Sequence, residues 1–251
     1  MNKKQTLSII IPIFNEEKTL KKVLDKVYSY KLFNIEKKLI IVESNSKDGS
    51  RKIVQEFSKD KKDVLVILES KPQGKGHAVR EGLKKATGDI ILIQDADLEY
   101  EVSDYPRLIK PIIDGKTDFV LGSRHLDHTG KYSWDIRKFK EKRKAFFMNI
   151  AGLSFHTFFN LVYQVNLTDP TTMYKVFRRS CLKKFHLTKN YFDLDWELVA
   201  KLIRAGFKPI EIPVQYHPRG FDEGKKVEIL RDGPRYLKTI IETRFIPKDK
   251  L

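Results

Sequence analysis

The chain has 251 residues, 41% of them hydrophobic, with 13 Gly and 10 Pro; it can bury a sizeable core in one large or two small domains, and the composition argues against disorder. A formal net charge of +16 points to anionic partners: nucleic acid, an anionic membrane surface or phosphorylated substrates. The single cysteine, Cys181, excludes a disulfide framework and fits a reducing compartment.

The chain opens on "MNKKQTLSIIIPIFNEE". Its apolar run covers only Leu7 to Phe14, contains Pro12 and leads into Asn-Glu-Glu rather than a small-residue cleavage site. The expectation is a first strand of a cytoplasmic protein, not a signal peptide. Further apolar runs at 38–43, 64–68, 89–94 and 118–123 read as strands, and their lack of alternation suits a sheet buried between layers. Between them, "EEKTLKKVLDKVYSY", "DGSRKIVQEFSK", "GHAVREGLKKAT" and "DYPRLIKPIIDG" have amphipathic helical patterns. The alternation predicts an α/β fold, a mostly parallel central sheet flanked by helices. Ligands of such sheets bind beyond the carboxyl ends of strands, so the residues ending each run are the site candidates.

The second half differs. "KYSWDIRKFKEKRK" (131–144) carries seven basic residues against two acidic ones, and 145–163 follow as nineteen residues without formal charge. That is the length of a membrane span, yet Asn149, His156 and Asn160 share one helical face. An amphipathic helix is expected, packed on the domain or lying at a membrane interface, with the basic run suited to anionic headgroups. "LDWELVAKLIRAGF" reads as a helix ended by Gly206, "PIEIPVQY" (209–216) as a strand, and "VEILRDGPRYLKTIIETRF" as a closing helix interrupted at Gly233-Pro234. One domain over 1–251 with a C-terminal helical elaboration is the simplest organisation.

The chemistry centres on "GDIILIQDADLEY", an apolar strand running into Asp95 and Asp97. In extended chain, residues i and i+2 point to one side, so two carboxylates converge and repel. A divalent cation, Mg²⁺ or Mn²⁺, resolves that repulsion and leaves positions for substrate phosphates; a solvated turn is the plainer alternative. Pro12, Phe14, Asn15 and Glu16 end the first strand, where Asn15 would also cap a helix. Glu43 ends the second strand before a polar turn, where its carboxylate would accept hydrogen bonds from a base or ribose; a loop and helix cap is the plainer alternative. Gly74-Lys75-Gly76 precedes a helix and lets backbone approach a ligand. The chain lacks a Gly-x-Gly-x-x-Gly fingerprint after the first strand, a Walker-A sequence, a Gly-x-Ser-x-Gly elbow and a Cys-x-x-Cys. His125 and His128, with no further ligand cluster nearby in sequence, read as a loop pair.

Seven segments, "SIIIPIFNEEKTL", "VESNSKDGS", "GKGHAVREGL", "ILIQDADLEY", "VLGSR", "TDPTTMYKVFRR" and "EIPVQYHPRGFDEGKKV", stand in the order seen in glycosyltransferase family 2. The chain resembles that family, and within it the soluble polyprenyl-phosphate sugar transferases of the dolichyl-phosphate mannose synthase-like group. The resemblance implies a GT-A fold, a GDP- or UDP-sugar donor, a divalent metal and inversion at the anomeric carbon. It implies metal ligation by Asp95, Asp97 (the surest) and Glu99, the last joining either the metal or the diphosphate, with Asp95 and Ala96 also at the donor. Pro12, Phe14 and Glu16 match the nucleotide-binding segment, Phe14 standing where Tyr is usual, and Glu43 stands where Asp is usual. Lys75 and Gly76 match the turn lining the donor site, and Arg124 an arginine near the donor or acceptor phosphate.

Displacing a nucleoside diphosphate builds negative charge on the leaving oxygen, so Arg124, Arg219, Lys225 and Lys226 are the cationic candidates. A hydroxyl acceptor needs a general base, for which Asp195 and Glu197 are candidates; both also suit a helix N-terminus. A phosphate acceptor is already ionised. The expected activity is sugar transfer to a polyprenyl phosphate by a peripheral protein at the inner face of the membrane, with 1–124 as the nucleotide-sugar half and 125–251 as the acceptor half. The alternatives are transfer to a glycan hydroxyl and a non-catalytic nucleic-acid-binding protein. The last explains the charge but not the acidic strand ends, so no nucleic acid is expected.

Overall fold

The computed structural model describes residues 4–136, 141–220 and 226–251. Among these, seven strands form one sheet: β1 (Gln5–Ile13), β2 (Ile35–Glu43), β3 (Val64–Leu68), β4 (Ile90–Ile93), β5 (Phe119–Ser123), β6 (Lys175–Arg178) and β7 (Ile210–Pro213). Their order is β3-β2-β1-β4-β6-β5-β7, every pairing parallel except those of β6, which is antiparallel to β4 and β5. Leu7 to Ile13 and all of β4 are buried without alternation, because helices cover both faces. The register pairs Ile13 with Glu43 and Ile10 with Ile93, so the carboxyl ends of β1, β2 and β4 open on one edge.

The helices are α1 (Glu17–Ser29), α2 (Ser50–Ser58), α3 (Lys75–Lys85), α4 (Tyr105–Ile113), α5 (Lys142–Tyr163), α6 (Leu194–Arg204) and α7 (Ile229–Phe245). In α1 the apolar stripe Leu20, Val23, Leu24 and Val27 is buried, each such side chain contributing roughly 1.5–3 kcal/mol. Gly82 lets α3 lie on the sheet, since a Cβ there would come 2.5 Å from Ile10 Cγ2.

The α/β architecture and mostly parallel sheet agree with the sequence reading, with three differences. β6 was not anticipated: its sequence, Lys-Val-Phe-Arg, holds only two apolar residues between charged ones and gives no apolar run to read. The interruption expected at Gly233-Pro234 does not occur; α7 is continuous, and Gly233 sits against the Phe155 ring, 3.2 Å from where a Cβ would be. In α5 the polar face points inward. Asn149 donates to Asp135 (2.6 Å), His156 Nε2 meets the Thr171 hydroxyl (3.0 Å), and Asn160 brackets Leu167 through its carbonyl and amide (2.8 and 3.1 Å). Phe146, Phe147, Ile150, Leu153 and Leu161 are exposed instead. By length and composition alone α5 would cross a membrane, yet Ala145, Met148, Phe159 and Tyr163 are buried against the protein.

Candidate active site

A cleft of about 850 Å³ opens at the carboxyl ends of β1 and β4. Pro12, Phe14 and Glu16 border one side, Asp95 to Asp97 and Glu99 form the floor, and Gly74 and Lys75 begin α3 beside it.

The floor is held rigidly. Gln94, at the end of β4, is buried; its Oε1 accepts from the hydroxyls of Tyr105 (2.7 Å) and Tyr174 (3.0 Å), and its Nε2 donates to the Asp95 carbonyl (2.8 Å). Thr19 of α1 donates to the Ala96 carbonyl at 2.7 Å. Leu98 takes a left-handed φ of 60°, a conformation that costs energy in an L-residue and turns the chain back here. The turn places the Glu99 amide 3.1 Å from Asp97 Oδ1, so the Asp97 and Glu99 carboxylates face one space.

Cations fill that space. Arg219 reaches Asp97 at 2.7 Å, Glu16 at 3.0 Å and Glu99 at 3.8 Å, while its own amide donates to Glu99 at 2.9 Å. Lys226 donates to Glu16 and to the Phe14 carbonyl. Lys75 lies 2.8 Å from Asp95. Burial raises the Asp95 carboxyl above its ordinary range against the pull of Lys75. For Asp97, burial and then repulsion from Glu99 act upward while Arg219 opposes them. Burial opposes the Lys75 charge, but Asp95 and Asp195 together hold its ammonium above the usual lysine value. The converging carboxylate oxygens are hard donors of the kind a divalent cation takes, and Asp95, Asp97 and Glu99 would hold one in place of the guanidinium that now faces Asp97 and Glu99.

Several expected residues lie elsewhere. Glu43 is fully buried and turned from the cleft; its carboxylate accepts from Arg51 Nε (2.5 Å) and the Ser46 amide (2.7 Å), so it shapes the 44–50 turn, and Ser44 lines the cleft instead. Gly76 packs α3 on the chain at 190–191, where a Cβ would stand 2.7 Å from the Tyr191 carbonyl. Asn15 does not cap α1: its side chain accepts from the Lys47 amide (2.8 Å), and Asp48 takes the Glu17 amide (3.1 Å). Glu197 lies in the interior, accepting from Thr188 and Lys189 and paired with Lys201 at 2.9 Å. Arg124 borders the cleft, but both arms of its fork are on Asp169. Asp195 does line the cleft and is ion-paired with buried Lys175 at 2.8 Å. Lys225 lies outside the described residues.

Sequence reasoning missed a largely apolar arm of the cleft, lined by Met148, Gly152, Phe155, Trp196, Ile229 and Tyr236, with Arg231, Asp232 and Arg235 of α7 also in the lining. Its residues come from α5, α6 and α7, and only their aromatic content hinted at it. It also missed a buried cluster. His128 meets Arg107 on the surface, whereas His125, His156 and Asp169 bring ligand atoms within 4.8 Å of one another. Arg124 already occupies both Asp169 oxygens, and a dication would sit against that guanidinium, so the cluster is polar core rather than a metal centre.

Residues 8–185 match the model of the family "Glycosyl transferase family 2". The chain belongs to that family. Among characterised proteins it is similar to the dolichyl-phosphate beta-glucosyltransferase ALG5A of Trichomonas vaginalis, 27% identical over 89% of this chain and 68% of that one. It is also similar to the dolichol-phosphate mannosyltransferase of Pyrococcus furiosus, 28% identical over 87% of this chain; it spans only 58% of that relative's length. Its fold is shared with the glucosyl-3-phosphoglycerate synthase of Mycobacterium tuberculosis in complex with Mn²⁺, UDP and phosphoglyceric acid: TM-score 0.70, 16% identity, over 97% of this chain and 80% of that one. The same protein with Mg²⁺ and UDP gives 0.69 at 16% identity over the same shares. The expected family and GT-A architecture are thereby borne out, and the chain is a family 2 glycosyltransferase.

Proposed function

We propose that this glycosyltransferase moves a sugar from a nucleotide-sugar donor to a polyprenyl phosphate at a membrane surface, with inversion. The observation that carries the proposal is the joining of two chemically opposite regions in one cleft. The acidic floor at Asp95, Asp97 and Glu99 suits a metal-bound diphosphate, and the arm through Phe155, Trp196 and Tyr236 suits an isoprenoid chain. The names of the two relatives, both transferases of dolichyl phosphate, agree with this acceptor.

Residues 1–124 hold the donor, with Pro12 and Phe14 beside the nucleotide and Lys75 and Asp95 beside the sugar. Residues 125–251 hold the acceptor. Mg²⁺ or Mn²⁺, when bound, supplies Lewis-acid stabilisation of the departing diphosphate. Arg219 and Lys226 neutralise its remaining charge. The acceptor's phosphate oxygen attacks the anomeric carbon from the face opposite the diphosphate, which gives inversion. That oxygen is already ionised, so Asp195 orients the reactants and removes no proton.

A peripheral position at the cytoplasmic face fits the outer surface. The exposed aromatic and aliphatic residues of α5 are preceded by Lys142, Arg143 and Lys144. On α7, Leu230, Leu237, Ile241 and Phe245 are exposed as well. Thermal unfolding with a panel of UDP- and GDP-hexoses, with and without Mn²⁺, tests the donor half. A metal-dependent rise in melting temperature with at least one donor is expected, and none with any donor would reject it.

A further inference from the structure

Arg219 and Asp97 sit 2.7 Å apart, and the guanidinium also faces Glu16 and Glu99. These side chains are largely buried, Arg219 being 16% exposed and Asp97 9%, so solvent screens them little. The local charges nearly balance: Glu16, Asp95, Asp97 and Glu99 against Lys75, Arg219 and Lys226. A dication bound to the Asp97 oxygen, at about 2.0–2.1 Å for Mg²⁺, would leave the Arg219 nitrogen a like charge only a few ångströms away. Cation and guanidinium therefore compete for the same carboxylates. Lys226 does not replace Arg219, because its partners are Glu16 and the Phe14 and Asn15 carbonyls, none of them on the floor.

We infer that Arg219 couples metal and donor binding: its guanidinium occupies the cation site in the free protein and transfers to the donor diphosphate when metal and nucleotide bind together. The inference rests on the metal-and-donor part of the proposed function and is independent of the acceptor. A diphosphate offers the planar fork two adjacent oxygens, which offsets the ion pairs that the guanidinium gives up with Asp97 and Glu16. Without nucleotide the guanidinium has no such destination, so metal alone must displace it unaided. By reciprocity, whatever factor the nucleotide adds to metal affinity, the metal adds to nucleotide affinity.

The test is titration of Mn²⁺, followed by the electron paramagnetic resonance of the free ion, against wild type, Arg219→Met and Arg219→Lys. Each is titrated alone and with UDP or GDP, and its melting temperature recorded. The expected result is that Arg219→Met binds Mn²⁺ alone on the order of tenfold tighter than wild type, within the usual 5–150-fold range of such couplings. Arg219→Lys should fall between, and adding nucleotide should tighten Mn²⁺ less in Arg219→Met than in wild type. The gain in metal affinity without nucleotide is the decisive readout, since a nucleotide's own phosphates would couple the two in any case. Should Arg219→Met fail to fold, the comparison of wild type with Arg219→Lys decides in the same direction. Equal or weaker binding of Mn²⁺ alone by the variants, with wild type still binding Mn²⁺ and nucleotide together, overturns the inference and leaves the glycosyltransferase reading intact. No Mn²⁺ binding by wild type with either nucleotide overturns both.

Discussion

Arg124 holds Asp169 through two side-chain bonds of 2.7 Å, and its own amide adds a third at 3.0 Å. The pair ties the end of β5 to the loop entering β6, and Glu211 on β7 fixes that loop by accepting from the Thr168 and Asp169 amides. Two segments that matched the family's pattern separately thus form one buried pair. Asp169→Asn would leave the guanidinium buried without its counter-charge, a loss of about 3–5 kcal/mol measurable by denaturant unfolding.

The same pair fixes a pH dependence. Burial alone would raise Asp169, but Arg124 overrides it and holds the carboxyl well below the usual range. A depressed carboxylate contributes stability that is fully present above its unfolded value, about 3.9, and lost as pH falls through its folded value. The stability gap between wild type and Asp169→Asn is therefore expected to be flat from pH 7 to about 4 and to narrow below that. A gap that narrows near neutrality would contradict the assignment.

Asp97→Asn should retain the fold, because Arg219 keeps Glu16 and Glu99 as counter-charges. It should lower transfer by at least about 10²-fold, the scale of losing one electrostatic stabiliser of a leaving group. Steady-state rates with donor and Mn²⁺ saturating, alongside a circular dichroism melt, check both parts.

Asp195 and Glu197 should separate cleanly. Glu197→Gln strands buried Lys201 and is expected to cost stability, on the order of 3–5 kcal/mol, with kcat of the folded protein unchanged. Asp195→Asn is expected to reduce kcat by clearly less than the 10²–10⁴-fold typical of a lost general base. A fall within that range, abolished at high pH with a hydroxyl acceptor, would favour transfer to a glycan.

Membrane contact has its own test. Replacing exposed Phe146 and Phe147 by Ser removes up to about 1.5–3 kcal/mol of burial each. Cosedimentation with anionic vesicles should weaken by at least about tenfold, with melting temperature unchanged. Unaltered vesicle binding would remove α5 from the interface.

How far the sequence carried this account follows from what each residue touches. The parallel core was legible because Leu7–Ile13 and Ile90–Ile93 are apolar on both faces and alternate with amphipathic helices, a pattern that suits a doubly covered sheet. Asp95 and Asp97 were legible because they end such a strand. Glu43 ends one too, yet Arg51, at the start of α2, consumes its carboxylate, and no local pattern announces that. Asp195 and Glu197 looked equivalent, but residues two apart on a helix point to different sides, and only Asp195 meets the cleft. The inward turn of the polar face of α5 depended on partners at Asp135, Thr171 and Leu167, all beyond its own sequence.

The most direct test of the central claim is a transfer assay with radiolabelled UDP- and GDP-hexoses, Mn²⁺ and vesicles containing polyprenyl phosphate or the corresponding polyprenol. Label is predicted to pass into the organic phase with the lipid phosphate and one of the donors, and not with the polyprenol or without metal. Label that stays in the aqueous phase with the lipid phosphate under every donor, while the same donors label a glycan acceptor supplied in its place, would contradict the account.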